Sequence, residues 1–220
     1  MKYSLLLTSF LCASAIQSPG AANFRISEVY AGVSGNDGTA DWIEVTNFGD
    51  MTGDTSTLFY DDSSADIDDA GQLDAFGLLP GASAVFLLEA DPVDDSLLAD
   101  SMTQFTSVWG SGILLGLTNG GGGLGNGGDA AFLLDASGNI IDSAEYDESL
   151  GGMLNTIDYS SSPALSEIGI NGAYESAPYD DDEGNPVTLI GSPGTATIPE
   201  PSSILLGFLG FIGFATRRRR

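Results

Sequence analysis

Thirty-one acidic side chains, six basic ones and no histidine decide which chemistry this chain can attempt. Without imidazole there is no Ser-His-Asp or Cys-His relay and no histidine-ligated metal site. The one cysteine, Cys12, and the one lysine, Lys2, both lie near the start of the chain, so neither serves a site in its body. Carboxylates are what remain. Two of them about 5 to 9 Å apart can hydrolyse a glycosidic bond. Among so many acids some pair meets that spacing by chance, so a hydrolase also requires a cleft. Clusters of acids can instead hold Ca²⁺, a hard cation that takes six to eight oxygens. Asp61-Asp62 with Asp66 and Asp68-Asp69 form one such cluster, and Asp180-Asp-Asp-Glu183 a second. Neither has EF-hand spacing, because Ala70 follows the first and Gly184 falls at the wrong offset in the other. The chain is therefore read as non-enzymatic. No catalytic, cofactor-binding or metal-ligating residue is assigned, and Ca²⁺ is retained only as a candidate ligand of loops that otherwise serve as a solvated surface.

Gly123-Leu-Gly-Asn-Gly-Gly128 fits G-x-G-x-x-G formally. A phosphate cradle needs a helix N-terminus behind it, and this run leads into an apolar, strand-like segment with no Lys-Ser/Thr. It is read as a loop.

The formal net charge of −25 understates how one-sided the body is. Lys2 and Arg217 to Arg220 belong to the terminal segments, which leaves Arg25 as the only cation between them. Such a surface repels phosphate backbones and anionic headgroups, which excludes nucleic acid as a partner. It suits divalent cations, high salt, or plain solubility.

The two ends read as targeting segments. Lys2 precedes an apolar stretch from Tyr3 to Cys12, and Ala13-Ser14-Ala15 offers small residues to a signal peptidase. Cleavage is expected after Ala15 or after Ala22, making residues 1–22 a signal helix and leaving a mature chain without cysteine. At the other end, Ile204 to Ala215 is apolar for about 12 residues, roughly 18 Å of helix against a hydrocarbon core of about 30 Å. Arg217, Arg218, Arg219 and Arg220 would hold this apolar helix with its tail in the cytoplasm. Pro199, Glu200 and Pro201 stand before it, and two prolines keep a chain extended and open to a processing enzyme. This combination resembles the PEP-CTERM sorting signal of exported bacterial proteins. The resemblance implies recognition and cleavage by a membrane-embedded exosortase, a membrane association through the C-terminal segment before processing, and a destination on the outer surface or in the extracellular matrix.

Between the ends, Phe24 to Tyr30, Asp41 to Asn47, Ala84 to Glu89, Ala130 to Leu134 and Asn139 to Tyr146 are short apolar or β-branched runs separated by Gly/Asp/Pro turns. Ala136-Ser-Gly-Asn139 predicts a hairpin. Leu97, Leu98, Met102, Phe105 and Trp109 recur at helical spacing, predicting one short helix near Asp95 to Val108, with Trp42 and Trp109 as core anchors. Many short strands and little helix make the fold class all-β, a sandwich over residues 23–195.

The order of these pieces resembles the lamin tail domain, an immunoglobulin-like sandwich. The matching blocks are Arg25-Ile-Ser-Glu-Val-Tyr30, Asp41-Trp-Ile-Glu-Val-Thr-Asn47 with Gly49-Asp50, Leu79-Pro-Gly81, Gly125-Asn-Gly-Gly-Asp129, Ala131-Phe-Leu-Leu-Asp135 with Gly138 and Ile141-Asp142, and Gly191-Ser-Pro-Gly194. Over Asp54 to Gly77 the family carries a Trp-containing strand, whereas this chain has Leu58-Phe59-Tyr60 and an acidic stretch. The resemblance implies a structural or adhesive role; a module for Ca²⁺ or extracellular polysaccharide is the alternative, marked by a cation cage or a row of aromatics. Strand alternation predicts that Ile26, Val29, Val45 and either Trp42 or Ile43 face the core, with Glu28 and Glu44 in solvent.

Overall fold

The computed structural model of the protein describes residues 20–33, 38–62, 64–88 and 95–196. The expected N-terminal signal helix before residue 20, the Pro199-Glu200-Pro201 motif, the C-terminal apolar helix and Arg217 to Arg220 lie outside the described residues. Among those described, no helix is long and apolar enough to cross a membrane.

The structure is mostly β-strand. The longer strands are β1 (Phe24–Tyr30) and β2 (Trp42–Asn47), separated by short β3 (Gly53–Asp54) from β4 (Leu58–Asp62). Short β5 (Gly71–Gln72) and β6 (Gly77–Leu78) precede β7 (Ser83–Leu87), and after the helix come β8 (Leu115–Leu117), β9 (Gly128–Asp135) and β10 (Ile140–Asp147). The C-terminal part contributes β11 (Ile157–Asp158), β12 (Ala164–Leu165), β13 (Tyr174–Glu175), β14 (Tyr179–Asp180), β15 (Pro186–Val187) and β16 (Ile190–Gly191). A six-stranded sheet has the order β12-β11-β1-β2-β7-β8, and a four-stranded one the order β10-β9-β4-β5. All pairings are antiparallel except β7 with β8. The predicted hairpin is present, with β9 and β10 joined through Ala136 to Asn139 and Gly138 at φ +78°. Leu58-Phe59-Tyr60 and the first two acids after it, Asp61 and Asp62, form β4, paired along its whole length with β9.

The two sheets share one core. Ile26, Val29, Ile43, Val45 and Phe86 from the larger sheet pack with Leu58, Tyr60, Leu133 and Tyr146 from the smaller. Alternation then sends Trp42, Glu44 and Thr46 to the opposite face of β2, so Ile43 and not Trp42 is the inter-sheet residue. That outer face is covered as well. The one α-helix of the described residues, α1 (Asp95–Trp109), lies over one half of it, where Tyr30, Trp42, Val85 and Leu87 meet Phe105, Val108 and Trp109 in a second apolar cluster. Trp42 and Trp109 meet edge to face, with ring centroids 6.4 Å apart.

The turn after β2 explains the Asn47 and Gly49 of its sequence block. Buried Asn47 donates to the carbonyls of Met51 (2.7 Å) and Leu78 (2.9 Å), and its Oδ1 accepts from the amides of Asn23 (3.1 Å) and Gly49 (2.9 Å). A Cβ on Gly49 would sit 2.1 Å from the Ala21 carbonyl oxygen, so only glycine allows the segment before β1 to pass this close.

Candidate functional site

The other half of the outer face is polar and lies beneath the C-terminal part of the chain. Glu28 on β1 and Glu44 on β2 stand opposite each other in the strand register, and each is only 1% exposed. This corrects the expectation that both face solvent: alternation assigns the side of the sheet, but residues 156–195 close over that side. Glu28 Oε1 accepts the Ser192 amide at 2.7 Å and the Thr156 hydroxyl, while its Oε2 accepts the Ser192 hydroxyl at 3.1 Å. Glu44 Oε1 accepts the Ser27 hydroxyl at 2.6 Å, and Oε2 the Gly194 amide at 2.5 Å. A chain of hydroxyls, Ser83, Thr46 and Ser27, leads to Glu44 at spacings of 2.8 and 2.7 Å.

Burial is the main electrostatic fact here. It pushes Glu28 up to about 7 and Glu44 up to about 8, opposed only in part by the hydrogen bonds they accept. The charge of Glu28 raises Glu44 further, and Asp158 raises Glu28. The phenol of Tyr174 is also raised, first by burial and then by both glutamates. The space between Glu44, Ser27, Asn171 and Thr195 is a cleft of about 10 Å³, room for one water. Two facing carboxylates are thus present, and no substrate can reach between them. They fasten Gly191-Ser-Pro-Gly194 to the sheet.

The remaining acids do not gather into a cation cage. Among the described residues no group of three or more His, Cys, Asp or Glu side chains is placed to hold a metal ion. Buried Asp61 accepts the Ser64 hydroxyl at 2.5 Å and the Asp66 amide at 2.9 Å, and Asp66 accepts the Asp68 amide at 3.0 Å. Asp181 accepts the amides of Glu183 (3.0 Å) and Asn185 (2.8 Å). These carboxylates organise their own turns. The glycine run enters β9 as expected, with Gly128 at φ +107° and the Gly125 amide on Asp129 at 2.7 Å.

Sequence reasoning missed the glutamate pair. The available signal was the company it keeps, Ser27, Thr46, Thr156 and Ser192, hydroxyl-bearing residues in strand blocks and in the closing motif.

A second concave feature holds Arg25. A cleft of about 440 Å³ is lined by Arg25, Phe48, Asp142, Glu145, Tyr159 and Ser160, among others. The guanidinium lies 5.7 Å from the centre of the Phe48 ring. Asp142 Oδ2 accepts the Ile26 amide at 2.9 Å, tying the edge of the small sheet to β1, and the Tyr159 hydroxyl donates to the Glu145 carbonyl at 2.9 Å.

No curated protein and no solved structure matches the chain. Residues 197–220, which begin three positions after the Gly194 held by Glu44, match the PEP-CTERM protein-sorting motif. The chain is accordingly an exported protein that exosortase sorts and processes at its C-terminus, where it associates with the membrane.

Proposed function

We propose that this is a non-catalytic surface or extracellular-matrix protein, whose lamin-tail-like, immunoglobulin-like sandwich over residues 23–195 is exported behind an N-terminal signal peptide and delivered by the C-terminal sorting motif. One observation carries the reading. The first two blocks of the resemblance and its last, those around Glu28, Glu44 and Ser192 to Gly194, converge on a single hydrogen-bonded cluster. Blocks that depend on one another physically belong to one design, and unrelated short matches give no reason for such convergence.

The cluster also suits the sorting step. A chain cut beyond residue 196 leaves the closing segment held by Glu28 and Glu44, so processing does not unravel the sheet face. A non-catalytic role is supported by the lack of His and by the enclosure of the glutamate pair. Asp142 and Glu145 both line the Arg25 cleft, but Asp142 already accepts the Ile26 amide, which ties it to the structure.

The test is the fate of the chain in its own cell. Mass spectrometry of the surface-fraction protein should find a C-terminus near Pro199-Glu200-Pro201, and replacing both prolines with alanine should leave full-length chain in the membrane. Unaltered processing and placement of that variant would refute the sorting role assigned to the motif.

A further inference from the structure

We propose that the cleft around Arg25 is a binding site for a neutral saccharide, with Arg25 and Glu145 holding adjacent hydroxyls and the Phe48 and Tyr159 rings taking the apolar face of the sugar.

The cleft has the size of a small-molecule site, about 440 Å³. Its chemistry is mixed in a way that selects among ligands. Arg25, the only cation of the described residues, donates up to five N–H groups in a fixed plane. It lies over Phe48, and its charge is felt by Asp142 across the cleft. Glu145 is exposed and accepts hydrogen bonds, while Asp142, half-buried and already accepting the Ile26 amide, fixes the floor. The Ser160 hydroxyl can donate or accept. Two rings, Phe48 and a Tyr159 oriented by its bond to the Glu145 carbonyl, flank these groups.

Formal charge separates the ligand classes. One guanidinium against Asp142 and Glu145 leaves the cleft with a net negative charge, within a domain that is itself strongly anionic. An anionic ligand meets two carboxylates beside its one cation, and a cationic ligand meets Arg25. A neutral polyhydroxyl molecule satisfies both signs at once: its hydroxyls accept from the guanidinium and donate to Glu145, and its C–H face covers a ring. The assignment goes beyond surface placement and stands whether or not the lamin-tail relationship holds.

The test is calorimetric titration of the full-length chain, kept soluble in a sugar-free zwitterionic detergent, with cellohexaose, laminarihexaose, mannohexaose and polygalacturonate. At least one neutral hexaose should bind at submillimolar concentration and the acidic polymer should not. Arg25→Ala and Glu145→Ala should each weaken that binding at least tenfold, with melting temperature and C-terminal processing unchanged. Absence of heat with all three neutral sugars at millimolar concentration, tighter binding of polygalacturonate, or full binding by both variants would each overturn the proposal. Processing of the variants at the sorting motif reads out separately, so loss of sugar binding leaves the sorting role standing.

Discussion

Glu28 and Glu44 face each other across β1 and β2 with their carboxyl groups buried, and the amides of Ser192 and Gly194 close the space above them. Like charges on neighbouring strands repel, and in a buried site both cannot ionise cheaply. Some of the binding to the closing segment is therefore made by a protonated carboxyl at neutral pH.

The pH profile of stability follows. Both groups titrate higher in the folded chain, near 7 and 8, than the ordinary 4.5. A raised folded value contributes stability that is fully present below 4.5 and is lost as pH rises through 7 and 8. The slope is on the order of 1.4 kcal/mol per pH unit for each proton the folded state retains. Thermal melts should place the optimum near pH 4.5 to 5 and show a decline that levels off above about 8. Below the optimum, exposed Asp54, Asp135, Asp147 and Asp181, all lowered by hydrogen bonds to their own turns, pull stability down again.

Glu44→Gln tests the source of that slope. The amide cannot ionise, so one proton's share of the decline between pH 4.5 and 8 should vanish. At pH 5 the variant should be less stable by about 1 to 3 kcal/mol, since one of two acceptor oxygens becomes an NH₂ facing the Ser27 hydroxyl or the Gly194 amide. Above pH 8 the penalty should shrink or reverse. Parallel profiles for the two proteins would show that the slope comes from elsewhere. On sequence alone this substitution looks harmless beside a charge at Ile43; the structure keeps Ile43 in the inter-sheet core and removes the contrast.

The limits of the sequence are visible at these same positions. β1, β2, β7, β9, β10 and the helix were legible because apolar periodicity reports local burial. Alternation put Glu44 on the correct side of the sheet, while Glu28 reaches that side through a bulge between Ile26 and Glu28. Alternation could not say that this side is covered, because the cover arrives from residues 128 and 164 positions away, beside two-residue strands with no periodic signal. The β4 segment was obscured for another reason: Asp61 is a buried acid within a strand, satisfied by its own turn, and reads as a surface loop. The Arg25 cleft could not be seen at all, since it forms where β1, the middle of β10 and the chain following β2 and β11 meet.

Tyr60 offers a test of the core itself. Its ring is fully buried between the sheets and its hydroxyl has no hydrogen-bond partner among the described residues. Burial and the charges of Asp62, Asp41 and Asp129 hold the phenol protonated far above its ordinary range. An unsatisfied buried hydroxyl costs about 1 to 3 kcal/mol in desolvation, and Phe keeps the ring contacts. Tyr60→Phe should leave stability unchanged or raise it by up to about 1 kcal/mol in urea unfolding. A loss of 1 kcal/mol or more would mean that the hydroxyl is bonded in solution.

The choice between the two signal-peptide cuts can be argued from the fold. Cleavage after Ala22 would remove residues that the domain uses: the Ala21 amide donates to Asp50 Oδ1 at 2.8 Å, and the Ala21 carbonyl accepts the Asp50 amide at 3.2 Å. Ala22 packs against the inter-sheet core, and Gly49 is glycine to let this segment pass. Cleavage after Ala15 keeps all of this, so the mature protein should begin at Ile16, as read by N-terminal mass spectrometry of the exported chain. A chain beginning at Asn23 should melt lower, because one backbone–backbone hydrogen bond, one backbone–side-chain hydrogen bond and a packed alanine are lost at the rim of the core. A mature N-terminus at Asn23, or equal melting of the two forms, would show that this segment serves the precursor and not the folded domain.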